Sequence, residues 1–378
     1  MEIFISAGEA SGDLHGSHLA RAIWSIAPQT RLSCLGGPHL QAEGVRVIVD
    51  NRSLSVVGVS ELAGHIRAFY SAWVKIRSHL LASHPAMVVL IDFPDFNLFL
   101  GKFAKKIGAK VFYYISPQVW SWREGRINKI RRLVDRMAVI LPFEKNFYAS
   151  HGIEVDYVGH PLVDVMADLP DKDQCDRLYH NFSGPLVGLL PGSRRSEIKL
   201  LFDILMDAGR IISWSFPAAR FIIPVASSLD ARDIETRAAR WSLPVQVLRN
   251  DTYGAVRACD LILTVSGTVT LEAAILETPM IVIYKVSRLS KQIGKRLIRV
   301  KFAGLPNLIA DRSIAPEFVF LEEPTAPRLA ECAIRFLSDP ALLDQQRLEL
   351  RRIHKQLGAP GISARVARLA LDTAKGVL

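Results

Sequence analysis

Nine short apolar runs punctuate this chain, and longer helix-period segments separate them. In the first half they are Ile3–Ala7, Met87–Ile91, Lys110–Ile115 and Met137–Leu141. In the second they are Leu186–Leu190, Arg220–Pro224, Pro244–Leu248, Leu261–Val265 and Met280–Tyr284. A near-continuous apolar run is what a strand covered on both faces requires. Between the runs, residues such as Ile198, Leu201, Leu205, Ala208 and Ile212 keep a 3.6 period and predict helices. This alternation predicts α/β architecture with parallel sheets and crossover helices.

The pattern stops and restarts. His160 to Gly184 is polar, rich in Asp and without a strand, and a new strand begins at Leu186. With 378 residues to accommodate, two domains are expected. The reading is two Rossmann-like, doubly wound domains facing each other across a cleft. The first spans residues 1–170 and the second 171–345, with 346–378 forming helices that pack back on the first.

A net charge of +10 asks for an anionic partner: a nucleic acid, a phosphate-bearing substrate or a membrane surface. Nucleic acid is set aside, because RNP-like aromatic patterns and zinc knuckles are absent from the sequence. Trp120 and Trp122 stand beside Arg123, but core tryptophans are the commoner explanation. The four cysteines are far apart with no CxxC, which argues against a disulfide framework or a zinc site. No HExxH spacing occurs, and no signal peptide precedes the first strand. The most apolar stretch, Met87 to Leu100, is interrupted by Asp92 and Asp95 and does not read as a membrane span.

In open α/β sheets, ligands bind beyond the carboxyl ends of the strands, so the strand-to-helix loops are the candidates. The first loop is Gly8-Glu9-Ala10-Ser11-Gly12-Asp13. It is not GxGxxG. Ser11 or Asp13 could cap the next helix, which leaves Glu9 unexplained; the other reading is a wall that binds sugar hydroxyls. The second loop, IDFPDFN, delivers Asp92 to the end of a buried strand, with Pro94 stiffening the turn. Asp92 reads as a general base. Asp95 and Asn97 read as substrate contacts or as helix caps.

The third loop, LLPGSRRSEIKLL, turns at Gly192 and Ser193 into a helix start beside Arg194. That is an anion site, although a capping arrangement with surface arginines is the competing explanation. Walker A spacing is absent, so P-loop hydrolysis is not expected. The fourth, LTVSGTVTLEAAI, places Ser266, Gly267, Thr268 and Thr270 at another helix start, where a diphosphate fits. Glu272 lies in its first turn, placed to hydrogen-bond a ribose.

These segments, together with ISPQVWSWR, LPFEKNFY, YVGHPLVD and GLPNLIA, resemble in their order the bacterial lipid-A-disaccharide synthase family over roughly Ile3 to Phe318. The resemblance implies an inverting, UDP-dependent glycosyltransferase of the B-type fold. It implies transfer of 2,3-diacylglucosamine from its UDP donor to the 6-hydroxyl of 2,3-diacylglucosamine 1-phosphate, lipid X. The products would be the β(1→6) disaccharide 1-phosphate and UDP, with no metal and no cofactor. It also implies peripheral association with the cytoplasmic face of the inner membrane. Carried over by motif, Asp92 is the base, with Glu9 next in line; Glu9 and Ser11 lie by the sugars. Ser193, Arg194, Ser266, Thr268 and Glu272 line the UDP site, with Asn307 close by. Members often carry a glutamine after the Pro316-Glu317 pair, where this chain has Phe318-Val319-Phe320. Another UDP-sugar transferase or epimerase of the same fold is the nearest alternative, and a homodimer is left open.

Acylated substrates require a bilayer contact. Ile66, Phe69, Tyr70, Trp73, Leu80 and Leu81 form an apolar helical face, which suits an interfacial helix and ordinary sheet packing equally. Lys285 to Lys301 alternates basic and apolar residues and suits anionic headgroups or plain solvation.

Overall fold

The computed structural model describes residues 1–55, 62–120, 124–226, 229–249, 251–285, 301–320 and 325–376. The basic segment Lys285 to Lys301 lies almost wholly outside the described residues, as do Trp122 and Arg123. The chain forms two compact units: Met1–Asp164 with Leu357–Leu378, and Val165–Gln356.

The first unit is built on a parallel sheet of β1 (Glu2–Ala7), β2 (Arg31–Gly36), β3 (Arg46–Asp50), β4 (Met87–Ile91), β5 (Lys110–Tyr114), β6 (Arg136–Val139) and β7 (Asp156–Tyr157). Its order is β3-β2-β1-β4-β5-β6-β7. The chain therefore winds one way from β1 and the other way from β4. Ala7 is in register with Ile91, so β1 and β4 release the chain side by side.

The second unit repeats the scheme with β8 (Leu186–Leu190), β9 (Arg220–Pro224), β10 (Val245–Leu248), β11 (Leu261–Val265), β12 (Met280–Lys285) and β13 (Glu317–Phe320). Its order is β10-β9-β8-β11-β12-β13, with the winding reversal between β8 and β11. Helix Arg195–Ser215 buries Ile198, Leu201, Leu205, Ala208 and Ile212 in the core with Val187 and Leu189 of β8. Each large aliphatic buried this way contributes about 1.5–3 kcal/mol before entropy is counted.

The unit boundaries differ from the sequence reading of 170/171 and 345/346. The first crossover falls at Asp164/Val165. Helix Pro340–Gln356 stays in the second unit, against helix Thr268–Ile275, so residues 346–356 do not return to the first unit. Helix Ile362–Lys375 lies against helix Ala10–Ile26. Its start is capped by Asp164, which accepts the amides of Gly361, Ile362 and Ser363 at 2.7, 3.1 and 2.9 Å. An acceptor nearly 200 residues away thus does the work of a local N-cap.

Candidate active site

In the first unit, the loops after β1 and β4 flank the winding reversal, the usual ligand position in such sheets. Asp92 and Phe93 both have left-handed backbones, with φ of 44° and 46°. Such residues cost on the order of 1–3 kcal/mol each and persist only where neighbours fix them. Here the Asp92 carbonyl accepts from the Tyr113 hydroxyl at 2.8 Å and from Asn97 Nδ2 at 2.7 Å. Pro94 then opens helix Pro94–Lys106. The Asp92 carboxyl is pushed up to about 6, first by burial and then by the charge of Glu9, with a smaller contribution from Glu144. A hydrogen bond from the Phe93 amide opposes them.

Glu9 is exposed and heads helix Ala10–Ile26, and Ser11 is exposed in its first turn. No side chain caps that helix. Asp13 is buried and reaches elsewhere, accepting the amides of Gly37, His39 and Leu40 at 2.6, 2.9 and 3.2 Å. The sequence reading of Asp13 or Ser11 as a cap of its own helix is therefore corrected.

One further expectation changes. Asn97 is wholly buried. Its Oδ1 accepts from Ser6 Oγ at 2.6 Å and its Nδ2 serves the carbonyls of Ile91 and Asp92. It braces the Asp92 turn and has no surface to offer a substrate. Asp95 is exposed and ion-paired with Arg126 across to the next helical segment.

In the second unit, a pocket of about 600 Å³ opens at the carboxyl ends of β8, β9, β10 and β11. It brings together Gly192, Ser193, Arg194, Ser266, Gly267, Thr268 and Glu272. The two helix starts that border it are unlike. At the first, the Glu197 carboxylate accepts the amides of Ser193 and Arg194 at 3.0 and 3.2 Å. A Cβ at Gly192, φ 116°, would stand 2.3 Å from Glu197 Oε2. This helix start already holds an anion of its own, so the expectation of a ready phosphate site on those amides is corrected. The Arg194 side chain is 78% exposed, with its Nη1 3.3 Å from Glu197 Oε1.

At the second start, Gly267 leads helix Thr268–Ile275 with no side-chain cap. Partial positive charge there faces the pocket. Thr270 does not line it: the residue is buried and its hydroxyl donates to the Gly267 carbonyl at 2.8 Å. Ser266 donates to the Ala303 carbonyl at 2.6 Å. Asn307, expected near the ligand, is buried with all its amide capacity engaged. Its Nδ2 donates to Ala315 and Glu317, and its Oδ1 accepts the amides of Ile314 and Ala315. Glu317 also accepts the Ala303 and Gly304 amides, so this acid anchors the segment that precedes Phe318-Val319-Phe320.

Burial pushes the Glu272 carboxyl up to about 7. Tyr253 is pushed up to about 12 by burial and then by Glu272. Sequence reasoning missed Arg249 and Asp251, which line the pocket from the loop after β10, and Tyr253, which lines it from the first turn of the helix that follows. Their signal was present, since they follow Pro244–Leu248, a strand the sequence had identified. Asp251 is fixed by the Tyr179 hydroxyl at 2.6 Å and caps helix Thr252–Ala258.

A family model described as lipid-A-disaccharide synthetase matches residues 3–363. The lipid-A-disaccharide synthase of Geobacter metallireducens is 43% identical over 98% of this chain and 96% of its own. The chain belongs to the lipid-A-disaccharide synthase family. Among solved structures, an S. aureus MnaA–UDP complex matches with a TM-score of 0.68 at 13% identity, covering 100% of this chain and 97% of that one. WaaG, a glycosyltransferase involved in lipopolysaccharide biosynthesis, matches with a TM-score of 0.58 at 13% identity, covering 98% and 99%. The fold is that of the B-type glycosyltransferases.

Proposed function

We propose that the chain transfers 2,3-diacylglucosamine from its UDP donor to the 6-hydroxyl of lipid X with inversion, releasing UDP and the β(1→6) disaccharide 1-phosphate. The observation that carries the site assignment is Asp92, a carboxyl fixed at a winding reversal and tuned to about 6, near the working pH of a general base. Asp92 takes the acceptor proton as that oxygen bonds to the anomeric carbon from the face opposite UDP. The C1–O bond to the diphosphate breaks, and its electrons leave with UDP. Glu9 and Ser11, exposed beside Asp92, bind sugar hydroxyls.

The diphosphate docks at the uncapped start of helix Thr268–Ile275, with the Arg194 guanidinium answering its charge. Both stabilise the leaving group as charge develops on it. Glu272 accepts from the ribose hydroxyls. Gly192 and Ser193 shape the wall, and Glu197 keeps that turn closed. Asp95, Asn97, Thr270 and Asn307 support these loops.

The acylated substrates place the protein at an anionic membrane surface on the cytoplasmic side. Among the described residues, no helix is long and apolar enough to cross a membrane. Helix Leu62–Ser83 divides its apolar residues. Leu80 is buried, Phe69 packs against Phe93 and Phe96, and Trp73 packs against Phe99 and Phe103. Tyr70, Val74, Leu81 and, from the neighbouring helix, Phe99 remain exposed. The Ile66 side chain lies outside the described residues. Exposed apolar residues beside Arg67, Lys75 and Lys102 suit a peripheral contact.

The test is mass spectrometry of the product from UDP-2,3-diacylglucosamine plus lipid X, with and without chelator. A disaccharide 1-phosphate formed in both supports the proposal. Turnover of UDP-GlcNAc alone, with no disaccharide from the acylated pair, would replace it with an epimerase reading.

A further inference from the structure

Glu144 is 2% exposed and has no part in the transfer chemistry described above. Its Oε1 accepts from the Ser116 hydroxyl at 2.6 Å and from the Trp120 indole at 3.1 Å. Its Oε2 accepts the amides of Ile140 and Leu141 at 3.1 and 2.9 Å. All four partners donate. An ionised carboxylate is acceptor-only and meets this set in full, whereas a protonated one fits only by giving its hydrogen to the Ser116 hydroxyl, which must then turn its own elsewhere. Burial raises the Glu144 carboxyl, and these donors oppose the rise.

The donors come from two loops. Ser116 and Trp120 follow β5; Ile140 and Leu141 follow β6. The strand ends are neighbours of the Asp92 turn: Ile91 pairs with Tyr114, and Tyr114 with Ala138. The Asp92 amide donates to the Tyr114 carbonyl at 3.4 Å, and the Ile115 amide to that of Ala138 at 3.1 Å. Ile115 itself has φ of 62°, so the β5 loop leaves the sheet in a strained conformation that needs a tether.

We infer that Glu144 is a positioning residue for Asp92: an ionised buried carboxylate that latches the β5 and β6 loops at the edge where Asp92 stands and sets its negative charge against the Asp92 carboxyl. The inference rests on Asp92 being the base. The other groups facing Asp92 are Glu9 from the β1 loop and the Tyr113 phenol from β5, with the Asp95–Arg126 pair beyond Tyr113. Around Glu144 stand Tyr148 from its own helix and Tyr157 from β7, both raised by burial and so neutral through the assay range.

The experiment is a set of kcat profiles against pH at saturating donor, where the pH dependence of nucleotide binding drops out, for the wild type, Asp92→Asn, Glu144→Gln and Ser116→Ala. A negative charge near Asp92 makes its proton harder to remove, so neutralising Glu144 moves the acid limb to lower pH. Glu144→Gln is expected to shift it by about half a pH unit and to lower kcat about tenfold. Ser116→Ala loosens the latch and takes from Glu144 the donor that most opposes its rise, so it lowers kcat severalfold and moves the limb no further than Glu144→Gln does. An unmoved limb in Glu144→Gln, or a larger shift in Ser116→Ala than in Glu144→Gln, overturns the inference. An acid limb that survives in Asp92→Asn overturns the base assignment instead. If Glu144→Gln does not fold, ¹³C-glutamate labelling of wild type and Ser116→Ala identifies the Glu144 carboxyl. An ionised signal at pH 6.5 upholds the inference, and a protonated one defeats it.

Discussion

The ring of Phe93 fills the space that any side chain at position 8 would need: a Cβ on Gly8 would lie 2.1 Å from Phe93 Cδ1. Gly8 ends the β1 exit and Phe93 follows Asp92, so this contact fits the two acidic loops to each other. Gly8→Ala must displace the ring, and with it the left-handed turn carrying Asp92. Overpacking of this kind costs about 1–3 kcal/mol. The expected outcome is turnover reduced tenfold or more. The pairing with Phe93→Ala is diagnostic, because removing the ring vacates the space. In the double variant, Gly8→Ala should cost nothing further, a non-additivity read from a double-mutant cycle. Additive losses would show that the contact does not govern the site.

Asp92 must be ionised to accept a proton, and its carboxyl is raised to about 6. Activity should therefore hold above pH 7 and fall tenfold per unit below pH 6. Asp92→Asn should lower turnover by about 10²-fold or more and abolish that acid limb, with UDP affinity kept. Calorimetric UDP binding beside a pH–rate profile checks both halves. Near-normal turnover would hand the role to Glu9.

Glu272 links ligand binding to stability. Burial raises its carboxyl from 4.5 to about 7. The folded state therefore favours the protonated form, so the stability it contributes is full below pH 4.5 and is lost as pH rises through 7. By pH 8 the fold carries an ionised, partly desolvated acid at a cost on the order of 1–3 kcal/mol. Glu272→Gln should then melt about 2–6 °C higher than the wild type at pH 8 and equally at pH 4. The same change removes a charged acceptor for ribose. UDP should bind about tenfold more weakly, and its affinity should no longer weaken between pH 8 and pH 6. Unchanged UDP affinity would remove Glu272 from the nucleotide site.

The strands that set the site were the legible ones. β1, β4, β8 and β11 are buried on both faces and read as near-continuous apolar runs, so the loops that follow them could be located from residues alone. The strands missed carry mixed signals. RLSCLG in β2 interrupts its apolar residues with Arg, Ser and Gly, β3 is an edge strand only partly buried, β7 is two residues long and β13 only four. What sequence could not separate was a polar residue that faces a ligand from one that holds a loop. Asn97, Thr270 and Asn307 sit in the right loops, yet their hydrogen bonds all turn inward. Asp13 was the hardest to place, since its partners lie 24 to 27 residues away. Glu197 had a signal, the three-residue spacing from Arg194, but spacing alone does not say whether a cap or a phosphate takes the amides.

The exposed residues Tyr70, Val74 and Phe99 offer a test of the membrane contact that leaves the site untouched. They are 68%, 44% and 52% exposed, while their neighbours Trp73 and Phe103 are packed against one another beneath. Apolar area left in water in this way is offset only by a partner that covers it. Replacing all three with serine removes the surface and, at Phe99, one edge contact with Trp73, while the Trp73–Phe103 contact beneath stays, so the melting temperature should fall by no more than a few degrees. Binding to vesicles that contain anionic lipid should fall about tenfold or more. Turnover of detergent-dispersed substrates should stay within about twofold of the wild type, because the Asp92 turn is held by Asn97, Tyr113 and Gly8 rather than by these side chains. The basic residues predict a second dependence: raising salt should weaken the wild type on anionic vesicles and have little effect on neutral ones. If the serine variant sediments with vesicles as fully as the wild type, this face is not the one that meets the bilayer.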